Sequence, residues 1–494
     1  MSSLEKETVS TSRALEPRRS LTEPESTAVK LSPKRKLTLV DAIGSTLAQM
    51  APAAAIYYGL PVIFLATGVG SPLTLLLSAV AIIIVGLSLT RFSAKHPSSG
   101  SLIKYIGMSF GGVTGTASSI VFIAGTVFLA ASAFIELGGW TADSLALYGI
   151  HIHWAIPTVV LGVLIWGLTI IGIDRSTKIA SIALVIEVLV LLGVSVYILL
   201  DPPNGLSAKP FVPSSVTDGL AGVGLGFPLA IYLFIGFENS AALAEETQNP
   251  KRNVKRAVLI SIAIMTVFYL LVSYAVIAGF GNNNDELVKS TNPFITLADR
   301  YLGDFSFLAV IAGFTSIVGM TIACLNGFSR IVFNSAREGL ITLKLSAVSK
   351  WQTPAGALSL LSGLGIVFAL LFGFAGDTWV TGFGYLGTIG TIPLLLIYAL
   401  LNIAVIVYPN EELNAFQRYV LPVLGVISIA LPIWAMIQPG QPKPVSYFPW
   451  VIFAIVLISL AYAWFRVKRD PSLPARVGAA AEPSGEYEAK ASSI

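Results

Sequence analysis

Long stretches of this chain carry no charged side chain. Residues 42–90, 105–135, 144–173, 257–284, 305–329, 351–376, 378–410, 419–442 and 444–465 contain no Asp, Glu, Lys or Arg. A membrane-crossing helix needs about 20 mostly apolar residues, so each run accommodates one span and 42–90 accommodates two. Two further runs are each interrupted by a single acid, 177–200 by Glu187, past Lys178 at its start, and 219–244 by Glu238. The expectation is twelve spans, near 40–66, 72–91, 112–138, 154–173, 177–200, 218–244, 256–281, 305–335, 356–375, 380–408, 416–438 and 446–466. In hydrocarbon every backbone polar group must be satisfied internally, which leaves helices or closed barrels. Barrel strands alternate polar and apolar residues, and SIALVIEVLVLLGVSVYILL at 181–200 does not. The expected fold class is an all-α integral membrane protein.

Only 12% of the 494 residues are charged, against about 25% in soluble domains. That shortage excludes a water-soluble enzyme and a nucleic-acid reader. The one cysteine, Cys324, excludes a disulfide scaffold. No cofactor, metal or nucleic-acid partner is expected; membrane lipid is. Counting Lys and Arg in the loops puts 27 of the 31 on the side that holds both termini, which makes that side cytoplasmic by the positive-inside rule. Residues 1–38 mix charges with Ser, Thr and Pro and read as a disordered tail with no apolar signal-peptide core. A second tail is expected over 467–494, and a plasma membrane is the default location. Lys34-Arg35-Lys36 reads as an orientation signal, with contact to anionic lipid as the alternative.

Two spans are poor helices in the same way. The first reads Gln49-Met50-Ala51-Pro52-Ala53-Ala54. The sixth runs through Gly222, Gly224, Gly226 and Pro228 to Phe234-Ile235-Gly236-Phe237-Glu238. Proline removes an intrahelical hydrogen bond and glycine weakens a helix by about 1 kcal/mol. Interrupted spans at corresponding places in two halves point to an inverted-repeat transporter whose breaks face a midplane cavity. The glycine run of the sixth span follows no strand, so a dinucleotide fingerprint is rejected. A channel would want rings of like polar residues, and a membrane enzyme a cluster of His, Asp, Glu or Cys; neither pattern stands out. The chain has no phosphate-binding GxxxxGK[ST] loop, so transport would draw on gradients.

Glu187, ten residues into the fifth span, is a costly mid-membrane acid of the kind that faces a cavity or partner. It suits a carboxyl that takes and releases a proton; a permanently protonated Glu bonded to a neighbouring helix stays open. Glu238 has similar standing, as coupling acid or as an acceptor for backbone N–H groups of the break. By this count two of the 27 acidic residues lie deep within spans. Tyr57, Tyr58, Tyr232, Phe234, Phe237 and Trp140 are the aromatic candidates for cavity walls. His151 and His153 read as interfacial side chains with no third ligand nearby, and Cys324 as a packing residue.

The stretch from Gly236-Phe237-Glu238 through Glu245-Glu246, Asn249-Pro250 and Arg252 to Arg256-Ala257 resembles the GFE…A…EE..NP.R.I.RA signature of the amino acid–polyamine–organocation superfamily. Pro97 to Tyr105 is similar to that family's P.aGg.Y.Y segment, and Ser329-Arg330 through Ala336-Arg337-Glu338-Gly339-Leu340 to its SR…ARDGLLP stretch. The resemblance covers about residues 37–466. It implies a five-plus-five inverted repeat over about 39–200 and 218–408, with helices eleven and twelve at 416–466. It also implies a secondary active permease for amino acids, working by alternating access. Ala51, Pro52, Ala53 and Ala54 would face the substrate carboxylate, and Phe234, Ile235 and Gly236 its amino group, with Tyr232 and Phe237 alongside. Glu187 falls where several members carry a lysine that replaces a sodium ion; with the charge reversed, a proton rather than sodium is the expected coupling ion. The family's glycine-rich first break is Ala-Pro-Ala-Ala here, so an amine or polyamine substrate, or exchange rather than symport, stays in play. Glu245, Glu246 and Arg337 are the candidates for an inner gate, the alternative being a solvated turn.

Overall fold

A computed structural model describes residues 31, 36–376, 378–408, 413–438 and 443–476. Most of the two expected tails, including Lys34 and Arg35, lies outside the described residues.

Among the described residues the secondary structure is helical apart from one isolated bridge at Leu37. The first long stretch is α1 (Leu39–Gln49), α2 (Pro52–Ala54), a π-turn at Ala55–Gly59 and α3 (Leu60–Thr67). Thr38 starts it with a capping box: its side chain accepts from Asp41 N, and the Asp41 carboxylate accepts from Thr38 N. Then come α4 (Ser71–Lys95), α5 (Ser101–Phe110), α6 (Gly112–Ala146), α7 (Ala155–Ile171) and α8 (Ile173–Leu200). The interrupted stretch follows as α9 (Leu220–Tyr232) and α10 (Asn239–Ala242). Next are α11 (Pro250–Gly279), the short α12 (Asn284–Lys289) and α13 (Pro293–Leu302), and α14 (Phe307–Arg337). The remainder is α15 (Ala355–Ala375), α16 (Trp379–Val407), α17 (Leu421–Met436), α18 (Phe448–Arg469) and α19 (Leu473–Arg476).

Nine of the described stretches are long and apolar enough to cross a membrane, Leu39–Lys95 counting as one; Ala155–Ile171 and Ala221–Tyr232 are shorter apolar helices. Large apolar side chains such as Leu164, Leu189, Val267 and Trp450 stand exposed on the outside, which only a lipid solvent tolerates at this density. The interior holds polar groups, among them Lys104, Glu136, Glu187, Glu246 and Arg330. This is an all-α, multi-pass membrane protein. The most extensive helix packings are α16 on α6, α14 on α8 and α11 on α4. One boundary differs from the sequence reading, and one expected interruption is present. Helix α6 continues to Ala146, eight residues past the span end expected at 138, so Glu136 lies well inside it rather than two residues from its end, and the sixth stretch is helical to Tyr232 and again from Asn239.

Candidate functional site

The first break is a single left-handed residue. Ala51 sits at φ 48°, and Pro52 restarts the helix at its first position, where a missing N–H costs nothing. A non-glycine residue held there costs about 1–2 kcal/mol, so surrounding contacts must fix it. A restarting helix leaves its first N–H groups without intrahelical partners. Ala53 N donates to Glu187 Oε2 at 2.9 Å and Ala54 N to Ser316 Oγ at 3.1 Å. Two long helices, α8 and α14, thus supply the cap that the local sequence lacks.

The second break runs from Leu233 to Glu238. Gly236 turns it at φ 107°, its N–H donating to Glu238 Oε2 at 3.1 Å; the hydroxyl of Tyr398 on α16 lies beside the same carboxyl. A Cβ at Gly236 would stand 2.8 Å from Gln49 Cγ on α1. Gly236→Ala therefore strains the backbone and pushes the breaks apart, at a cost of order 1–3 kcal/mol. Thermal unfolding of the detergent-solubilised variant measures it; an unshifted midpoint contradicts the close packing.

One side chain ties the breaks together. The buried Tyr269 hydroxyl, from α11, lies 3.1 Å from Met50 O and 2.8 Å from Leu233 O. Its single proton serves the carbonyls of the residues that cap α1 and α9. Tyr269→Phe leaves both buried acceptors unmet, a loss of about 1–3 kcal/mol, readable in the same unfolding assay. Asn239 adds a second tie, its Nδ2 donating to Ser45 O at 3.0 Å and Ser45 Oγ at 2.9 Å.

Between the breaks lies a cavity of about 400 Å³, within the size range of small-molecule sites. Of the residues singled out from sequence, Ala51, Ala54, Tyr58, Tyr232, Ile235 and Cys324 line it. Pro52, Ala53, Phe234, Gly236 and Phe237 are buried behind the wall. So are Glu187 and Glu238, each bonded to a break N–H. Tyr57 is also set back, donating to Ala309 O at 2.8 Å with its ring stacked 5.4 Å from Trp140. His153 sits in an exposed turn, its ring 5.6 Å from that of Phe374.

Sequence reasoning missed the acid of the cavity wall. Glu136 of α6 lines the cavity, is only 2% exposed, and has its Oε1 buried without a hydrogen-bond partner. The signal was present: the uncharged run 105–135 resumes after Glu136 and reaches Asp143, the same lone-acid interruption that marked Glu187 and Glu238.

The profile of the amino acid permease family matches residues 37–461. The chain belongs to the amino acid permease family. The branched-chain amino acid permease BcaP of Bacillus subtilis is 24% identical over 422 residues, covering 80% of this chain and 86% of that protein. The methylthioribose transporter of the same organism is 25% identical over 441 residues, covering 83% and 88%. The match spans both breaks, the cavity and the motifs that suggested the family, and it makes this permease a transporter.

The candidate gate residues of the permease fall into two ion pairs. Glu245 is held bidentately by Arg337, with Nη1 to Oε2 at 2.9 Å and Nη2 on Oε1. Glu246 pairs with Arg330 instead, Nε to Oε2 at 2.7 Å and Nη2 to Oε1 at 3.2 Å, both side chains fully buried. Arg330 Nη1 also donates to Asn326 O at 3.0 Å. Ahead of α1, Leu37 N donates to Glu246 O and Gln248 N to Leu37 O, each at 2.8 Å.

Proposed function

We propose that this permease is a secondary active transporter that carries an amino acid across the plasma membrane by alternating access, coupled to protons through Glu187 with Glu238 in support. The observation that carries the reading is the meeting, at one place, of two helix breaks, the cavity between them and a buried carboxyl bonded to the first break. A transporter needs a central site whose shape is set by elements that can rearrange, and a broken helix is such an element. A carboxyl bonded to a backbone N–H there ties its protonation to the geometry of the break. As a carboxylate it accepts strongly from Ala53; on protonation that acceptor weakens.

The twelve-span, inverted-repeat arrangement draws support from the packing. Counting the broken stretches as spans one and six, α6 and α16 are the third and tenth, α8 and α14 the fifth and eighth, α4 and α11 the second and seventh. Shifting each number by five exchanges the first pair for the second and returns the third to itself, and these three are the most extensive packings. Two repeats over about 39–200 and 218–408 account for that equivalence, with α17 and α18 outside it. Both termini are assigned to the cytoplasm from the distribution of Lys and Arg. On that side the Glu245–Arg337 and Glu246–Arg330 pairs close the inner face beneath the cavity.

An amine permease, or an amino acid exchanger, is the second reading; the alanines of the first break favour it, since they leave less room for a carboxylate than glycines do. The test is uptake of radiolabelled amino acids into proteoliposomes under an imposed pH gradient. Accumulation that a protonophore collapses is expected. Accumulation unchanged by the protonophore overturns proton coupling, and uptake that requires an internal amino acid identifies an exchanger.

A further inference from the structure

Amino acid recognition between two helix breaks calls for hydrogen-bond donors to meet the carboxylate and acceptors to meet the ammonium group. In this structure the donors are committed. Ala51 N donates to Ala48 O; Pro52 has no N–H; Ala53 and Ala54 donate to Glu187 and Ser316; Ala55 donates to Ala51 O. At the second break Phe234, Ile235 and Phe237 donate to the carbonyls of Ile231, Tyr232 and Phe234, and Gly236 to Glu238.

The acceptors are not. Glu136 Oε1 and Gln49 Oε1 are buried without partners, and both residues line the cavity. Met50 O and Leu233 O, also of lining residues, share the one Tyr269 proton. Among the described lining residues Glu136 is the only Asp, Glu, Lys, Arg or His, and its neighbours there include Tyr58, Tyr232, Phe328, Met320 and Phe383. An acid in such a wall calls for a cation, and aromatic faces favour a cation further.

We propose that Glu136 is the anchor of the substrate's ammonium group, and that the cavity takes an organic cation with an apolar body and has no need of a carboxylate. This rests on the transporter reading for the site's role and deepens it by naming the chemistry the site selects. Gln49 and the shared carbonyls of Met50 and Leu233 are further acceptors for the remaining N–H groups of a primary amine. The apolar remainder of the wall holds the body of the molecule, where size rather than polarity discriminates.

The experiment uses the full chain in lipid nanodiscs and two matched series: leucine, 3-methylbutylamine and 4-methylpentanoate; phenylalanine, 2-phenylethylamine and 3-phenylpropanoate. Within at least one series the amine is expected to bind at least as tightly as the amino acid, and the acid not at all. Glu136→Gln should weaken amine binding about 10- to 100-fold, as expected for losing a charged hydrogen-bond partner, and Glu136→Asp should restore part of it. Binding of an acid in preference to its amine, binding of neither amine by the wild type, or wild-type affinity in Glu136→Gln overturns the anchor. If Glu136→Gln does not fold, the wild-type series decides alone. Proteoliposome uptake separates this from the transporter reading. Amino acid uptake that survives Glu136→Gln undiminished overturns the anchor and leaves transport standing; amine binding without uptake of any of the six compounds overturns transport and leaves the anchor.

Discussion

Glu187→Gln is expected to leave the protein folded and to reduce proton-driven accumulation to the level of empty liposomes, while exchange of substrate across the membrane continues. The amide keeps an oxygen that can accept from Ala53 N, now at 2.9 Å from the carboxylate, and it fills nearly the same volume. What it lacks is a proton to take up and release. Glu187→Leu is the complementary variant. It removes the acceptor as well and leaves a buried N–H at the break with no partner, a loss of about 1–3 kcal/mol that should appear as a lowered melting midpoint in detergent. The pair separates the two jobs of one side chain. Normal uphill uptake in Glu187→Gln would rule out the coupling role and leave Glu187 as a helix cap.

Arg330→Met should be the most damaging single change away from the cavity. Arg330 and Glu246 are both fully buried, and the guanidinium meets the carboxylate through two nitrogens. Removing one member strands the other's charge away from water, which costs about 3–5 kcal/mol. The double replacement Arg330→Met with Glu246→Leu removes both charges and should recover most of that loss, because a buried pair is worth little net over well-packed apolar residues. The same cycle at Glu245 and Arg337, where Glu245 is partly exposed, should give a smaller coupling. Retained expression and tryptophan-fluorescence melting of the two single variants and the double provide the measurement. A single Arg330→Met that melts with the wild type would mean the buried pair contributes no more than a surface one.

Much of the scaffold was legible in the sequence, because a span announces itself within 20 or so neighbouring residues. Both breaks were legible for the same reason: Pro52 and Gly236 punctuate locally, and each marks a real departure from helix. What fills the breaks was not. Glu187 stands 134 residues from Ala53, Ser316 stands 262 from Ala54, and Tyr269 stands 219 from Met50. No local period encodes such partners; only the packing of α8, α11 and α14 around the first stretch brings them in. Glu136 escaped for a different reason. It sits just past a run already long enough for a span and two residues inside the expected end at 138, and α6 continues for ten residues beyond it. Arg330 was visible within a motif, yet its partner Glu246 lies 84 positions away, and Arg337 was the basic residue first matched to that loop.

The bonds at Leu37 have a mechanical consequence. Leu37 is fastened to Glu246 and Gln248 beyond the second break, and Ser45, one turn before the first break, is fastened to Asn239. The segments 37–49 and 239–248 are thus riveted at two points along their length and behave as one lever. Positive-φ residues border it at the breaks, Ala51 and Gly236, and at its far end, Asn249. Rotation of either segment drags the other, so a rearrangement felt at one break is delivered to both. Amide hydrogen exchange would register this as a shared opening rate for Leu37 N and Gln248 N.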